Sequence, residues 1–559
     1  MNRIIKTTFE NRGYDSDYMQ RIENFKNETL RSTDDLIQSL YNIYLRGDLI
    51  VVLPDFDMDG IMSGVIGFAG LAELGFNCSL YIPTPSEGYG FTPSDIDLIM
   101  EQYPDVKAVI TCDVGISCNK AVAYAKAMGL TVFVTDHHMP EKNSKLAADC
   151  IVNPMRSDDP YSFKEICGAN VLYKCLYNYA LKYCDVAMQE RIERLRVFAG
   201  IGTISDMMLL ADENRQLVRD CVSFCRLLYS NGDNWFVNVL TGSEIYKRAF
   251  RGLFTALKVF GELGKISSNG DINESFFGYY FAPAFNSIKR LDGDMSVAFG
   301  VFFGNDSEGN MNDLITMNDR RKILVKQYFD EIMSSSQSYA PYVYMSNAPG
   351  GILGLLATEF IKKTGVPTFV VHEEDGVFKG SGRSPEWYPA LSLCGSKGFG
   401  LAGHEGAFGV MLSSEDDVKR LVKHLDDTVS ECLHAASLVE HKDDFVIALD
   451  GTGDSDIDIP LFAEYLFELD RYRPFGKGFE EPEIVFKFKR TDGMWSNMGR
   501  LKQHLKISFK HGFDVVCWNQ GQLINSCFSE CVVRGHLSLN EFRDTHTVNL
   551  VGSLSEGGD

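Results

Sequence analysis

The sequence predicts an α/β fold for the first domain, with a doubly wound parallel sheet. A smaller α/β domain and a C-terminal all-β domain are expected to follow. Short apolar runs such as "DLIVVLP", "VKAVITC" and "LTVFVT" alternate with helical segments, which is typical of parallel sheets covered on both faces. The chain has 559 residues, too many for one hydrophobic core. After residue 445, short β-type runs such as "IVFKFKR" and "LKISF" dominate.

Composition narrows the class of protein. The hydrophobic content of 45% is that of a globular chain, and the net charge of −22 argues against a broad surface that coats nucleic acid. A local basic groove remains compatible with that charge. No apolar run is long enough to span a membrane, so we expect a soluble, cytoplasmic protein. The 14 cysteines form no C-x-x-C pair and are expected to be reduced thiols.

Acidic residues follow several of the apolar runs. The stretch "VVLPDFDMDG" places three carboxylates at alternate positions, where they would repel one another unless positive charge lies nearby. Ligands bind at the carboxyl ends of the strands in doubly wound sheets, so we expect the acids to converge there. The converging side chains would be Asp55, Asp57, Asp59, Asp113, Asp136, His137, His138 and, after a further apolar stretch, Asp206.

Divalent cations would make this convergence tolerable. Carboxylate oxygens with one or two imidazoles suit Mn²⁺ or Mg²⁺, and a pair of such ions is suited to hydrolysing a phosphodiester. Alone, D-x-D-x-D-G also fits a calcium loop or a solvated turn, and D-H-H alone is a weak signal. Their combination, each following a strand, favours a two-ion metal centre.

The second domain contains two glycine-rich stretches. In "KGSGRSPEWYP", glycines would let the backbone approach a phosphate that Arg383 binds through two hydrogen bonds. An ordinary Gly-Ser turn is the alternative. "GFGLAGH" matches G-x-G-x-x-G but lacks the strand and helix of a dinucleotide site. We therefore interpret it as a phosphate cradle that includes Gly403 and His404.

The third domain combines basic residues with aromatic ones. Alternation places Lys487, Lys489, Lys506 and Lys510 largely on solvent faces. With aromatic side chains such as Trp495 and Phe509, they could bind single-stranded DNA by charge and stacking. For any single aromatic residue, a place in the core of a small barrel is the simpler interpretation.

Taken together, the motifs resemble those of the DHH phosphoesterase superfamily, and most of all its RecJ branch. "DFDMDG", "CDVGIS", "VTDHH" and "GIGTISDMMLL" resemble its four motifs. "APAFNSIKRL", "GSGRS", "GFGLAGHEGAFG" and "RYRPFGKGFEEPEIVF" follow in the order of that branch, and the resemblance covers roughly residues 45 to 555.

The resemblance implies a role for each matching residue. Metal ligands would be Asp55, Asp57, Asp59, Asp113, His137 and Asp206. Asp136 would orient a histidine or support a ligand, and His138 would face the scissile phosphate. Substrate-binding residues would be Ser381, Arg383, Ser384, Gly403, His404, Asn286 and Arg290.

The sequence also departs from the RecJ pattern. Ala348 and Pro349 stand where a Trp-His pair is usual, and Ala284 replaces the arginine of P-R-I-N-A-x-G-R. The G-G-G-H motif reads "LAGH". We expect the metal chemistry to be intact and the grip on substrate to differ.

The resemblance implies four segments and one activity. They are a DHH catalytic domain (1–305), a connecting helix (306–335), a DHH-associated domain (336–440) and an OB-fold domain (445–559). The protein would be a monomer. Its activity would be that of a metal-dependent 5′→3′ exonuclease, which degrades single-stranded DNA to 5′-mononucleotides in repair, recombination or replication. A helicase or single-strand-binding protein would be its partner. The alternatives are a phosphodiesterase for short oligonucleotides or cyclic dinucleotides, and an inactive replication scaffold.

Overall fold

The structure is a computed structural model that describes residues 1–23, 30–84, 90–140, 145–238, 240–337, 339–437, 442–449, 457–542 and 545–557. The chain forms two compact units: residues 1–27, 209–219 and 441–559 make the first, and residues 28–208 and 220–440 make the second. None of the described helices combines the length and the apolar character needed to cross a membrane. The domain boundaries given above remain predictions.

The α-helices follow in chain order: α1 (Arg3–Arg12), α2 (Ser16–Glu23), α3 (Thr33–Arg46), α4 (Met58–Glu73), α5 (Pro93–Gln102), α6 (Asn119–Ala127), α7 (Gly168–Tyr183), α8 (Val186–Arg194), α9 (Arg196–Ser205), α10 (Asp212–Asn238), α11 (Glu244–Glu262), α12 (Glu274–Phe276), α13 (Ala282–Arg290), α14 (Ser296–Phe303), α15 (Ser307–Ser334), α16 (Gly350–Thr364), α17 (Glu415–Ser437) and α18 (Ile459–Leu469).

The strands are β1 (Leu49–Pro54), β2 (Cys78–Leu80), β3 (Val106–Cys112), β4 (Thr131–Thr135), β5 (Cys150–Val152), β6 (Val343–Met345), β7 (Thr368–Glu374), β8 (Val377–Arg383), β9 (Gly400–His404), β10 (Ala407–Leu412), β11 (Phe445–Ala448), β12 (Ile484–Lys489), β13 (Met494–Met498), β14 (His504–Ser508), β15 (Phe513–Cys517), β16 (Glu530–Phe542) and β17 (Thr545–Glu556).

The first sheet is parallel throughout, in the order β2-β1-β3-β4-β5. Almost every residue of β1, β3 and β4 is buried, because helices cover both faces. The strand order reverses at β1, which creates a crevice at the carboxyl ends of β1 and β3. Asp55 and Asp113 directly follow these two strands, so the predicted α/β class is confirmed.

Helix α4 is the central buried helix of this region. Its glycines permit close packing, since a Cβ on Gly64 would lie 2.8 Å from the Phe299 ring and one on Gly67 would lie 2.9 Å from Val52. The N-terminal end of α4 therefore stays fixed against the sheet, directly after the first acidic stretch.

The apolar stretch before Asp206 is not a strand. Residues 196–205 form α9, and Asp206 caps the C-terminus of that helix. The Val, Ile and Thr residues of this stretch favour a strand. It forms a helix instead because its apolar side packs against the buried helices α4 and α7. The expectation that every acid follows a strand is therefore wrong at this position, although Asp206 still reaches the same cluster.

The second sheet has the order β6-β7-β8-β10-β9 and is mainly antiparallel. Helix α15 spans Ser307–Ser334, within the segment predicted as a connecting helix. The stretch "GFGLAG" runs into the edge strand β9 rather than a loop that opens a helix. A dinucleotide fingerprint is therefore excluded here on geometry. The predicted phosphate contact through Gly403 and His404 remains a prediction.

The first unit is a seven-stranded sheet with the order β11-β12-β16-β17-β15-β14-β13. Its apolar core also contains Ile4, Ile5, Phe9 and Ile22 from α1 and α2. Together with α18, these helices mean that the C-terminal domain is not purely β. The N-terminal residues close its core, a contribution that the sequence pattern did not indicate.

Arg215 is the most deeply buried cation of this unit. Its side chain is 1% exposed, its Nε donates to Glu23 Oε1 at 2.9 Å, and its Nη1 donates to the Pro474 carbonyl at 2.8 Å. The guanidinium also lies 4.3 Å from the centroid of the Phe479 ring. Arg215 thus joins residues 209–219 to α2 and to the C-terminal domain with the seven-stranded sheet, called the β domain below.

We expect Arg215→Ala to destabilise the first unit by about 3 kcal/mol, because it leaves buried carbonyls unsatisfied and Glu23 without one of its partners. Arg219→Ala is the control, since Arg219 also binds Glu23 but is 28% exposed; it should cost about 1 kcal/mol or less. Hydrogen exchange of β16 and β17 in the full chain would measure both effects. Equal exchange in the two variants would contradict the assignment.

Candidate active site

His137 lies at the centre of the acidic cluster. Its Nε2 is 3.2 Å from Asp113 Oδ1, 3.5 Å from Asp206 Oδ2 and 3.8 Å from Asp59 Oδ2. The predicted convergence of four separate segments is therefore present in the structure. Burial lowers the pKa of His137, which favours the neutral imidazole that a metal requires.

Three overlapping sets of side chains place their ligand atoms within 4.8 Å of one another: Asp113, His137 and His138; Asp59, His137 and Asp206; and Asp55, Asp57 and Asp113. Together they offer mostly carboxylate oxygens with two imidazoles. This donor set fits Mn²⁺ or Mg²⁺ better than a soft metal, because no thiolate takes part.

Asp55 gives an independent test of that fit. It is 2% exposed, and neither carboxylate oxygen has a hydrogen-bond partner among the described residues. Burial, reinforced by the charge of Asp57, raises the pKa of Asp55 to about 7. A buried carboxylate that accepts no hydrogen bond is well suited to bind a cation.

Two glycines let the helices approach these acids. A Cβ on Gly168 would lie 2.4 Å from Asp113 Oδ1, and a Cβ on Gly202 would lie 2.3 Å from Asp59 Oδ1. The N–H groups of Gly168 and Ala169, at the start of α7, donate to the Asp59 carboxylate at 2.7 and 3.2 Å. The positive end of the helix dipole thus offsets part of the charge of Asp59.

Asp136 binds His138 rather than joining the three sets. Its Oδ1 accepts from the ring Nδ1 of His138 at 2.8 Å and from the backbone N–H of His137 at 2.7 Å, and its Oδ2 accepts from Ile116 N–H at 2.9 Å. Burial would lower the pKa of His138, but the hydrogen bond to Asp136 and nearby carboxylates raise it to about 9. His138 is therefore a cation at neutral pH, with an exposed fraction of 33%.

Helix α13 closes one side of the cluster. Asn286 Oδ1 accepts from the Met58 N–H at 2.8 Å, so its carbonyl oxygen holds the acidic loop. Lys289 Nζ lies 3.9 Å from the centroid of the Phe56 ring. We did not single out Lys289 from the sequence. The sequence did contain a signal for it. Lys289 stands where the pattern P-R-I-N-A-x-G-R has glycine, and the fully buried Ala284 stands where the pattern has its first arginine.

The predicted substrate-binding residues of the second sheet differ in their surroundings. Arg383, Ala407 and His404 are paired across three neighbouring strands, so Arg383 and His404 share one row, and His404 is exposed. Ser384 instead donates its hydroxyl to the carbonyl of Tyr388 at 2.7 Å, which is a contact within the domain. Gly403 has φ of +136° in the exposed edge strand.

Small residues border a cavity beside Ser381. The cavity has a volume of about 490 Å³ and is lined by Ala348 and Pro349, where a Trp-His pair was expected, and by Tyr328, Lys379 and Ser381. The absence of the two larger side chains thus leaves open space on this surface.

The predicted face of the β domain carries Lys487 and Lys489, which alternate with the buried Phe486 and Phe488. Both lysines line a groove of about 520 Å³ that also contains Arg534 and two glutamates. Lys506 is less available, because it binds Asp514 at 2.8 Å.

Trp495 and Phe509 both pack against the core of the β domain. They are not exposed platforms for stacking bases, so the simpler interpretation holds for both. Trp518, which we did not single out, is 52% exposed.

These features define a class of protein. A doubly wound sheet with an Asp and His cluster at its switch point is matched by the family model "DHH family, N-terminal domain" over residues 49–201. The model "RecJ OB domain" matches residues 456–552. The resemblance predicted from the motifs, to the RecJ branch of the DHH superfamily, is confirmed.

Curated relatives and solved structures agree. The chain is 26% identical to the single-stranded-DNA-specific exonuclease RecJ of Bacillus subtilis over 89% of this chain, but that match spans only 59% of the relative. It is 25% identical to the Salmonella typhimurium RecJ, over 94% of this chain and 90% of that one. The structure of Thermus thermophilus RecJ with Mn²⁺ matches 100% of this chain and 76% of that one, with 20% identity and a TM-score of 0.71.

We expect Asp55→Asn to stabilise the metal-free protein. The folded state raises the pKa of Asp55 from 3.8 to about 7, so folded protein binds this proton more tightly than unfolded protein does. Stability therefore falls as pH rises from about 4 to 7 and levels off above 7. The advantage of Asp55→Asn should grow over that range and be lost when Mn²⁺ is added.

Thermal unfolding between pH 4 and 8, with and without Mn²⁺, would measure this effect. Asp105→Asn removes an exposed carboxylate and is the matched control. A loss of metal-free stability at pH 8 in Asp55→Asn would show that Asp55 is stabilised by the protein itself.

Proposed function

We propose that this chain is a metal-dependent exonuclease that degrades single-stranded DNA from the 5′ end to 5′-mononucleotides. The observation that carries the proposal is the cluster of His137 with Asp59, Asp113 and Asp206, at the switch point of a DHH-type sheet. The substrate and the 5′→3′ polarity rest on the resemblance to the RecJ branch, whose curated members are named single-stranded-DNA-specific exonucleases.

The ions would be held by Asp55, Asp57, Asp59, Asp113, His137 and Asp206. Two Mn²⁺ or Mg²⁺ ions would activate water and neutralise charge on the phosphate and the leaving oxygen. The protein contributes the placement of these ligands through α4, α7 and α9. Burial also lowers the pKa of His137, which favours the neutral imidazole.

His138 would contact the scissile phosphate. Asp136 fixes the ring through Nδ1, and the side chain is 33% exposed. Because its pKa is about 9, His138 carries positive charge at neutral pH and can donate to a phosphate oxygen. Asp136 acts through His138, so its role is positioning.

Arg290 and Arg383 would hold the strand beyond the acids, and Ser381 and His404 lie on the same second sheet. Asn286 would act indirectly by fixing the acidic loop. Gly403 and Ser384 support the strands around Arg383. The groove with Lys487 and Lys489 would bind further phosphates of a long strand.

Two features favour this activity over its alternatives. A phosphodiesterase for short oligonucleotides or cyclic dinucleotides would not need a RecJ-type OB domain, which matches residues 456–552 here. An inactive scaffold would not need the acids, which are all present. A helicase or single-strand-binding partner, a monomeric state and a cytoplasmic location remain predictions.

We expect Asp59→Asn and His137→Ala to lower the turnover number on a single-stranded oligonucleotide by about 10³-fold or more, since each removes a ligand of the metal centre. Binding to DNA should change little. Strands labelled at the 5′ or the 3′ end, at saturating Mn²⁺, would measure rate and polarity. Near-normal turnover by Asp59→Asn would contradict the two-ion assignment, and early release of the 3′ label would contradict the polarity.

We expect Lys487→Ala and Lys489→Ala each to weaken binding to a strand of several tens of nucleotides and to reduce the slope of log affinity against log salt by about 0.7. Cleavage of a dinucleotide should be unchanged. Lys502→Ala, an exposed lysine of the same domain, is the control. Point substitutions are preferable to removing residues 441–559, because α1 and α2 share that core. Unchanged salt dependence would favour the short-oligonucleotide alternative.

A further inference from the structure

Lys289 brings a positive charge to the edge of the acidic loop. It lies on α13 one turn after Asn286, so both side chains are on the face of the helix that meets this loop. Asn286 Oδ1 accepts from the first backbone N–H of α4 at 2.8 Å, and Lys289 Nζ lies 3.9 Å from the centroid of the Phe56 ring. Phe56 stands between Asp55 and Asp57 and is 4% exposed. A cation–π contact therefore holds the ammonium group beside the proposed metal ligands.

The ammonium group of Lys289 has no anionic partner in the described part of the chain. Among the described residues, no carboxylate lies within ion-pair distance of Nζ, and no oxygen accepts a hydrogen bond from it. Lys258, which lies 5.5 Å from the centroid of the Phe254 ring, also lacks an ion pair among these residues, but it is exposed and water can satisfy it. Lys289 is partly buried, so donors without protein acceptors are more costly at this position.

The charge around Lys289 depends on what the neighbouring carboxylates bind. Burial and the charge of Asp57 raise the pKa of Asp55 to about 7, and the charge of Lys289 opposes that rise. In the metal-free protein, Lys289 thus offsets part of the acidic charge. Once Asp55 and Asp57 hold metal ions, their charge is neutralised and the ammonium group loses its nearby negative charge. A phosphate at the same place supplies that charge again, and the lysine ammonium group is a common phosphate ligand.

We propose that Lys289 donates from Nζ to an oxygen of the substrate phosphate that is bound at the acidic cluster, and so helps to fix the strand for cleavage. This inference rests on the proposed function. It adds a contact that is particular to this chain, since the pattern P-R-I-N-A-x-G-R has glycine where Lys289 stands. Lys289 is a substrate-binding residue, whereas Asn286 acts only through the acidic loop.

The test compares Lys289→Met with Lys258→Met. Both variants remove one positive charge from a lysine beside a phenylalanine ring, and methionine keeps an apolar contact with that ring. The probe is a labelled ten-nucleotide dT strand in Ca²⁺, with phosphorothioate linkages that slow hydrolysis and keep the charge. Affinity should fall about tenfold in Lys289→Met, the slope of log affinity against log salt should fall by about 0.7, and both should change little in Lys258→Met. Lys289→Arg should recover most of the affinity.

A scan with single neutral methylphosphonate linkages identifies the phosphate. One position should weaken binding by the wild type but not by Lys289→Met, and the other sensitive positions should stay sensitive in both proteins. Equal affinities and identical scans for these two proteins would overturn the inference, and a fall in thermal stability alone would mean that Lys289 only stabilises the loop. If Lys289→Met does not fold, Lys289→Gln decides by the same measurements. Because affinity is measured without turnover, a lack of hydrolysis by the wild type in Mn²⁺ would refute the proposed function without deciding this question.

Discussion

Repulsion among buried carboxylates is the constraint on which the rest of this structure depends. Asp55, Asp59 and Asp113 are each 2% exposed or less, and burial raises the pKa of all three. The protein offsets the charge only in part, through the first turn of α7 and through His137. Bound cations would relieve the remaining imbalance. The close approach of the helices to the acids also explains the glycines of α7 and α9. A Cβ on Gly168 would displace Asp113, and a Cβ on Gly202 would displace Asp59.

Within the second unit, acidic and basic side chains occupy different places. Acids occupy the carboxyl edge of the first sheet, whereas Arg290 of α13 and Arg383 of β8, which have no ion pair among the described residues, lie beside α16. A polyanion can meet the acidic edge only where cations screen it, but it meets the arginines directly. A field of this kind orients a charged strand before any specific contact forms. Net charge alone, at −22, would not have indicated that such a surface exists.

Much of the site could be predicted because each acidic motif directly follows, in the sequence, the apolar strand that positions it. "DFDMDG", "CDVGIS" and "VTDHH" each follow an apolar strand, and parallel topology is sufficient to bring their ends together. Asp206 was found through its motif, but its helix was not, because Val, Ile and Thr favour strands unless a buried partner selects a helix. Lys289 was missed as well, because its contact with the Phe56 ring depends on how α13 packs beside the acidic loop.

The participation of α1 and α2 in the core of the first unit has a consequence for synthesis of the chain. Their apolar residues pack with residues 441–559, so they have no surface to bury until more than four hundred later residues have been made. At about 5–20 residues per second, that delay lasts roughly 20–80 s. During that time the second unit can fold on the ribosome, while the first helices stay exposed to chaperones or to neighbouring nascent chains. Completion of the first unit is therefore tied to the synthesis of residues 441–559 rather than to that of α1 and α2.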